Sequence, residues 1–384
     1  MRVNPGRIGS VALTVLALLG LAACGSSSSS NATTSSSSSS TPATSSSSTS
    51  TSTSPTTGSG STTINGAGST FANPIYMQWA QNLSSQGLTV NYNAVGSGAG
   101  IAGLQSSTID FAGSDPAEKP SEIAAGKGPV LQFPIGFGAI TVSYNLPGVK
   151  SGLKLDGKTL GDIYLGKVKK WDDPEIKALN QGVSLPSMPI TVVHRTDSSG
   201  TTKGFTTFLS DYSSAWTAAA GKPNKTVNWP TGTGAPKNAG VAAAIKQTPG
   251  AIGYVEQAYA LQNNFAYAAM KNSSGAFVVP TLAATSAAAA GAKIPADLTV
   301  STINSSGATA YPITSQTFEI VYKDTCKAGR SPASASGVKK LLTYALGPGQ
   351  MVEKQLYYAP LPAALLAKDM AQLTQLSCNG SPVS

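Results

Sequence analysis

The chain has 384 residues, and its 26 Lys and Arg against 17 Asp and Glu leave a formal charge of +9. No dense Lys/Arg run with interleaved aromatics occurs, so nucleic acid is not indicated as a partner; the balance suits a small anion, an acidic envelope polymer or ordinary solubility. A single histidine and three cysteines, with only scattered carboxylates beside them, argue against a metal centre.

Arg2 and Arg7 precede the apolar run Val11 to Ala23, which is too short to span a bilayer and has the form of a secretory signal over residues 1–23. The run closes on Leu21-Ala22-Ala23-Cys24-Gly25, small residues directly before a cysteine, which resembles the lipobox of bacterial lipoproteins and implies lipid attachment at Cys24. Residues 24–62 are then almost entirely Ser and Thr, with too little apolar surface to offset the entropy of ordering them. Such a segment is a tether with an r.m.s. reach of roughly 35 Å.

About 320 residues follow, too many for one small core and suited to two α/β lobes. Runs such as Leu88–Tyr92, Ala139–Tyr144, Ile190–Val193 and Phe318–Tyr322 read as strands. Asn73–Ser84, Asp173–Gln181 and Val338–Ala345 read as helices. The alternation places the chain in the α/β class, and no second apolar segment is long enough to cross a membrane.

The candidate chemistry is carried by four short stretches. Asn65-Gly66-Ala67-Gly68-Ser69-Thr70-Phe71 is a glycine turn ahead of the Asn73 helix, where backbone approach is close and unpaired N–H groups face the loop. Val95-Gly96-Ser97-Gly98-Ala99-Gly100 repeats the arrangement, with a helical run expected near Ile101. Neither is a P-loop, since no Gly-Lys-Ser/Thr follows, and the dinucleotide spacing is missing as well. Ile109 to Pro116 ends a strand on Asp115, which by itself reads as a turn or helix-capping residue. Arg195-Thr196-Asp197-Ser198-Ser199-Gly200-Thr201-Thr202 sets a guanidinium fork beside hydroxyl and amide donors where a helix would begin.

His194, Asp197 and Ser199 invite a hydrolytic reading. Strand alternation, however, sends Arg195 and His194 to opposite faces, and no nucleophile-elbow pattern surrounds Ser199. Cys326 and Cys378 are an even pair in an exported chain, so a disulfide is expected, contributing about 4 kcal/mol by the loop-entropy argument.

Taken in order, Gly66–Phe71, Val95–Gly98, Asp110–Asp115 and Arg195–Thr201 resemble the PstS-type phosphate-binding proteins of bacterial phosphate ABC importers. The likeness extends through Leu155–Lys167, Lys170–Asp173, Pro249–Glu256, Tyr311–Thr314 and Tyr358–Pro362, and so covers residues 63 to about 375. It implies a two-lobed periplasmic-binding-protein fold, type II-like, with two crossover hinge strands. Lobe I would comprise 63–136 and 313–384, and lobe II 137–312. It also implies a monomer without cofactor that is not an enzyme, held at the outer face of the membrane by its lipid anchor. Such a protein closes over inorganic phosphate and delivers it to a membrane permease and ATPase complex. The residues carried over by the resemblance are Thr70, Phe71, Ser97, Asp115, Arg195, Ser199, Gly200 and Thr201 as phosphate ligands, with Asp197 orienting the arginine.

Asp115 has a physical reason of its own for that role. Near neutral pH phosphate keeps at least one proton to donate to a carboxylate, whereas sulfate keeps none and meets an unpaired like charge. Discrimination of about tenfold to several thousandfold would follow. Two positions depart from the family pattern: Ser198 stands where Gly is frequent, and Gly98 where a second Ser is common. The Lys158–Trp171 segment reads as surface and core of the second lobe, with a permease-facing patch as the alternative. Another tetraoxyanion, such as sulfate, and a secreted phosphate-ester hydrolase are the competing functions.

Overall fold

The computed structural model describes residues 61–384 apart from 116 and 124, all within one compact unit. The expected signal segment, Cys24 and the tether up to residue 60 lie outside the described residues.

The chain opens with β1 (Thr62–Gly68), α1 (Asn73–Ser84), β2 (Leu88–Ala94), α2 (Ser97–Gln105) and β3 (Phe111–Ser114). A short α3 (Pro120–Ile123) leads to the long β4 (Val130–Tyr144). Next come β5 (Lys154–Leu155), α4 (Gly157–Tyr164), α5 (Pro174–Leu179), β6 (Thr191–Arg195), α6 (Gly200–Tyr212) and α7 (Ser214–Ala220). They are followed by β7 (Thr233–Ala235), α8 (Lys237–Gln247), β8 (Ala251–Glu256), α9 (Gln257–Gln262), β9 (Ala266–Tyr267), β10 (Ala269–Lys271), β11 (Phe277–Val278) and α10 (Leu282–Ala290). The chain finishes through β12 (Thr314–Tyr322), α11 (Pro332–Ala345), α12 (Gly349–Gln355), α13 (Ala363–Leu373), β13 (Ser377–Cys378) and β14 (Ser381–Pro382).

The main sheet has the order β2-β1-β3-β12-β4-β8-β6-β7, with β9 pairing off β4. At one end β2, β1 and β3 run parallel, and at the other β8, β6 and β7 do. Antiparallel β12 and β4 join the two ends. Val130 to Ala139 of β4 pair with β12, and from Ile140 onward the same strand pairs with β8. A single strand therefore changes partners midway, which makes one continuous sheet of two α/β halves.

The expected strand at Ala139–Tyr144 is only the last part of β4. Pro134, Gly136 and Gly138 break the β-rich pattern before it, yet Pro134, paired with Phe318, stands beside Ile135, which the register shift against β12 leaves unpaired, and such a bulge is where a strand tolerates proline. Gly138 makes room for the Phe71 ring, since a Cβ there would lie 2.5 Å from Phe71 Cζ. β1 already includes Thr62, one residue into the expected tether, and pairs it with Leu88. The helix expected near Ile101 begins at Ser97, while α1 spans the residues anticipated for it.

Trp79, Tyr76, Ile64, Phe111 and Leu341 pack one half of the core, and Tyr164, Trp171, Phe205, Trp216 and Tyr254 the other. Within Lys158–Trp171 the apolar residues Leu160, Ile163, Tyr164 and Trp171 are fully buried, and Lys158 pairs with Asp162 and Glu175. Cys326 and Cys378 form a disulfide that ties the end of the chain to the segment after β12. No helix among the described residues is long and apolar enough to cross a membrane.

Candidate functional site

Three loops that each lead into a helix meet at one buried point. The first runs from β1 into α1. Gly68 takes a left-handed φ of 139°, and a Cβ there would lie 2.1 Å from the Gly113 carbonyl oxygen, so only glycine lets β1 and β3 end this close together. Beyond it, Ser69 donates its hydroxyl to Asp115 Oδ1 and accepts from the Ala72 amide at 3.1 Å. Thr70 and Phe71 are buried. The Phe71 carbonyl accepts from Tyr358 Oη at 2.6 Å, and the two rings meet edge to face at 5.8 Å.

The second loop enters α2, with Gly96 as N-cap at φ 99°. Ser97 is therefore the first helical residue; its hydroxyl accepts from the Asp115 amide at 3.3 Å. The third enters α6, where Ser199 is the N-cap and accepts from the Thr202 amide at 3.1 Å. Gly200 and Thr201 follow as the first two helical residues, whose amides have no acceptor one turn back. The chain packs tightly here: a Cβ on Gly200 would lie 1.5 Å from the Asp115 carbonyl oxygen.

Arg195 supplies the cation. Its Nε and Nη2 grip Asp197 Oδ1 and Oδ2 at 2.7 and 2.5 Å, a bidentate pair that fixes the fork. Asp197 also accepts from the Lys237 amide at 2.9 Å. Burial alone would raise the Asp197 carboxyl, but the paired guanidinium outweighs it and holds the group below the usual carboxylate range. Arg195 Nη1 is buried and, among the described residues, has no hydrogen-bond partner. A buried donor of that kind calls for an acceptor.

Asp115 is 1% exposed. Burial pushes its carboxyl up to about 6, against the hydroxyls of Ser69 and Thr317 and the charge of Arg195, which act the other way. Donors on three helix starts, one guanidinium and one carboxylate poised near neutrality thus face a common point. Such a set can bind an anion that carries a proton to share.

All eight residues expected as ligands are buried, and Asp197, expected to orient the arginine, accepts from both Nε and Nη2 of the Arg195 fork. The hydrolytic trio does not assemble. His194 stacks on Trp229 with ring centroids 4.8 Å apart and contacts the Arg195 carbonyl through Nδ1, whereas Ser199 Oγ caps α6. Among the described residues no group of three or more His, Cys, Asp or Glu is arranged to hold a metal ion.

Several participants escaped the sequence reading. Asn238, fully buried in the first turn of α8, donates through Nδ2 to Thr70 Oγ1 at 2.9 Å. Tyr254 Oη accepts from the Arg195 amide and shares a 2.6 Å bond with Thr202 Oγ1. Tyr259 Oη donates to the Thr70 carbonyl at 2.8 Å. Buried Glu118 joins Lys225, whose carbonyl accepts from the Ser199 amide at 2.9 Å. The Ala235-Pro236 turn into α8 repeats the strand-turn-helix pattern of the other loops and is the one local signal that pointed to Asn238.

The two departures from the family pattern occupy the same space. Ser198 is not among the residues with left-handed φ, so its backbone makes no demand for glycine. A Cβ on Gly98 would lie 2.1 Å from Ser198 Oγ, and the Gly98 amide donates to the Ser198 carbonyl at 3.1 Å. The side chain gained at 198 fills the room left by the one missing at 98.

Residues 44–348 match the family model of the PBP superfamily domain. The phosphate-binding protein PstS of Pasteurella multocida is 42% identical over 81% of this chain and 89% of its own length. Its counterpart in Haemophilus influenzae is 40% identical, covering 81% and 92%. A solved high-affinity periplasmic phosphate-binding protein with phosphate bound has the same fold, with a TM-score of 0.68 at 22% identity over 82% of this chain and 96% of that one. The loops that build the site, the fold around them and these relatives agree: the chain belongs to the PBP superfamily and, within it, to the PstS family.

Proposed function

We propose that this protein captures inorganic phosphate outside the cytoplasm and delivers it to a membrane ABC permease and its ATPase for import. The observation that carries the reading is Asp115, a carboxylate buried opposite Arg195 among anion donors and pushed up to about 6. Hydroxyls of Thr70, Ser97, Ser199 and Thr201, amides of Phe71, Gly200 and Thr201, and Arg195 Nη1 donate to phosphate oxygens; Asp115 accepts the phosphate proton; Asp197 holds the fork. Binding without turnover fits the place of His194, which among the described residues stacks on Trp229 while Ser199 Oγ caps α6.

Closure of two lobes, 63–136 with 313–384 against 137–312, sequesters the ligand, and the change of partner along β4 between Ala139 and Ile140 supports a hinge there. The protein acts as a monomer, exported by residues 1–23, anchored by lipid on Cys24 and carried on the tether of residues 24–62. Calorimetric titration with phosphate and with sulfate tests the central claim: tight phosphate binding with weak or no sulfate binding is expected, and comparable heats for both overturn it. Release of the Cys24→Ala variant into the medium checks the anchor.

A further inference from the structure

We infer that Asn238 is a positioning residue that turns the hydroxyl of Thr70 into an obligate donor toward the anion and biases that of Thr201 the same way, an inference that rests on the phosphate reading above. Asn238 is fully buried at the start of α8, an element that contributes none of the expected ligands. Its Oδ1 accepts from the Glu256 amide at 3.0 Å. A backbone N–H can only donate, so this contact settles which end of the side-chain amide is oxygen and turns the NH2 group toward the two threonines.

Nδ2 lies 2.9 Å from Thr70 Oγ1 and 3.5 Å from Thr201 Oγ1. The Asn238 backbone amide also donates to Thr70 Oγ1, at 3.3 Å. A hydroxyl has two acceptor sites and one proton. Both acceptor sites of Thr70 are taken by Asn238, so what the hydroxyl has left to offer is its proton. One acceptor site of Thr201 is taken in the same way. The two threonines come from different loops, ahead of α1 and in the first turn of α6, and one residue fixes the polarity of the first and biases that of the second. A phosphate oxygen can accept those protons, whereas a neutral ligand that presents a donor meets a second donor at Thr70. Asn238 thereby selects for an acceptor without touching it.

A double-mutant cycle on the whole protein, read by calorimetric titration with inorganic phosphate, separates this role from simple packing. Asn238→Ala should weaken phosphate binding roughly ten- to a hundredfold in the native background, the scale of hydrogen bonds to a charged group. In a Thr70→Val, Thr201→Val background, where no hydroxyl remains to orient, the same substitution should cost less than about threefold. Equal losses in both backgrounds overturn the inference. Should Asn238→Ala fail to fold, Asn238→Asp keeps the shape and the acceptor for the Glu256 amide; its added charge repels phosphate in every background, so the coupling stays readable, and a coupling of zero again overturns the inference. Absence of phosphate binding by the native protein would instead overturn the phosphate reading itself.

Discussion

Replacing Asp115 by Asn tests the same carboxylate twice, once through stability and once through selectivity. Its carboxyl titrates at about 6 in the folded protein against an ordinary value of 3.8. The difference, at about 1.4 kcal/mol per pKa unit, means that the buried ionised form costs the fold about 3 kcal/mol. Because the folded value is raised, the folded state holds the proton more tightly than the unfolded chain. Stability from this group therefore increases as pH falls from about 6 to about 4 and is level on either side of that window. Asp115→Asn removes the charge while leaving an oxygen for the Ser69 and Thr317 hydroxyls. Above the window the ligand-free variant should be the more stable by up to about 3 kcal/mol, a rise of about 4 °C in Tm for a fold of this size. Below about pH 4 the advantage should vanish. In binding the change runs the other way: phosphate loses the acceptor for its proton and sulfate escapes a like charge. The ratio of phosphate to sulfate affinity should shrink by about 5- to 150-fold, the equivalent of 1–3 kcal/mol. Scanning calorimetry across pH and titration with both anions measure the two effects. A Tm difference that does not change with pH would refute the burial argument, and an unaltered affinity ratio would sink the selectivity role.

Gly200→Ala tests how closely the Asp115 and Gly200 loops must pack. Alanine at the first turn of α6 favours the helix by up to about 1 kcal/mol, yet its methyl would sit 1.5 Å from the Asp115 carbonyl oxygen. The variant should melt lower than the native protein and lose phosphate affinity by about 5- to 150-fold, since overpacking a rigid contact costs about 1–3 kcal/mol; native stability and affinity would show that the two loops need not meet. Gly98→Ala should weaken phosphate binding about tenfold through its clash with Ser198, and Ser198→Gly added to it should restore binding to within about threefold. Titration of the native protein and the three variants of that cycle decides the matter, and additive losses would mean that the two positions do not share space.

Much of the site was legible before any folding was considered, because its parts are local. Ser199 caps α6, Gly200 and Thr201 open it, and Asp197 lies two residues from the arginine it holds, so a short stretch encodes a finished half-site. Helix α1 could be read to its ends because its buried face, Ile75, Tyr76, Trp79 and Leu83, repeats at helical spacing. β4 could not, since a bulge at Pro134 and glycines that yield to Phe71 and Glu353 satisfy neighbours distant in sequence.

By itself the sequence determined the α/β class, the loops that present donors, the identity of the cation and the carboxylate, and the cysteine pair. Only the tertiary structure decided that Asp115 packs against Gly200, that Arg195 Nη1 is buried without a partner among the described residues, that Ser198 complements Gly98, and that Asn238 ties Thr70 to Thr201. The reason is physical. Helix caps and strand alternation act over a few residues, whereas the burial that raises a carboxyl and the crowding that demands a glycine are set by segments 80 to 170 residues apart that meet when the sheet brings its two halves together.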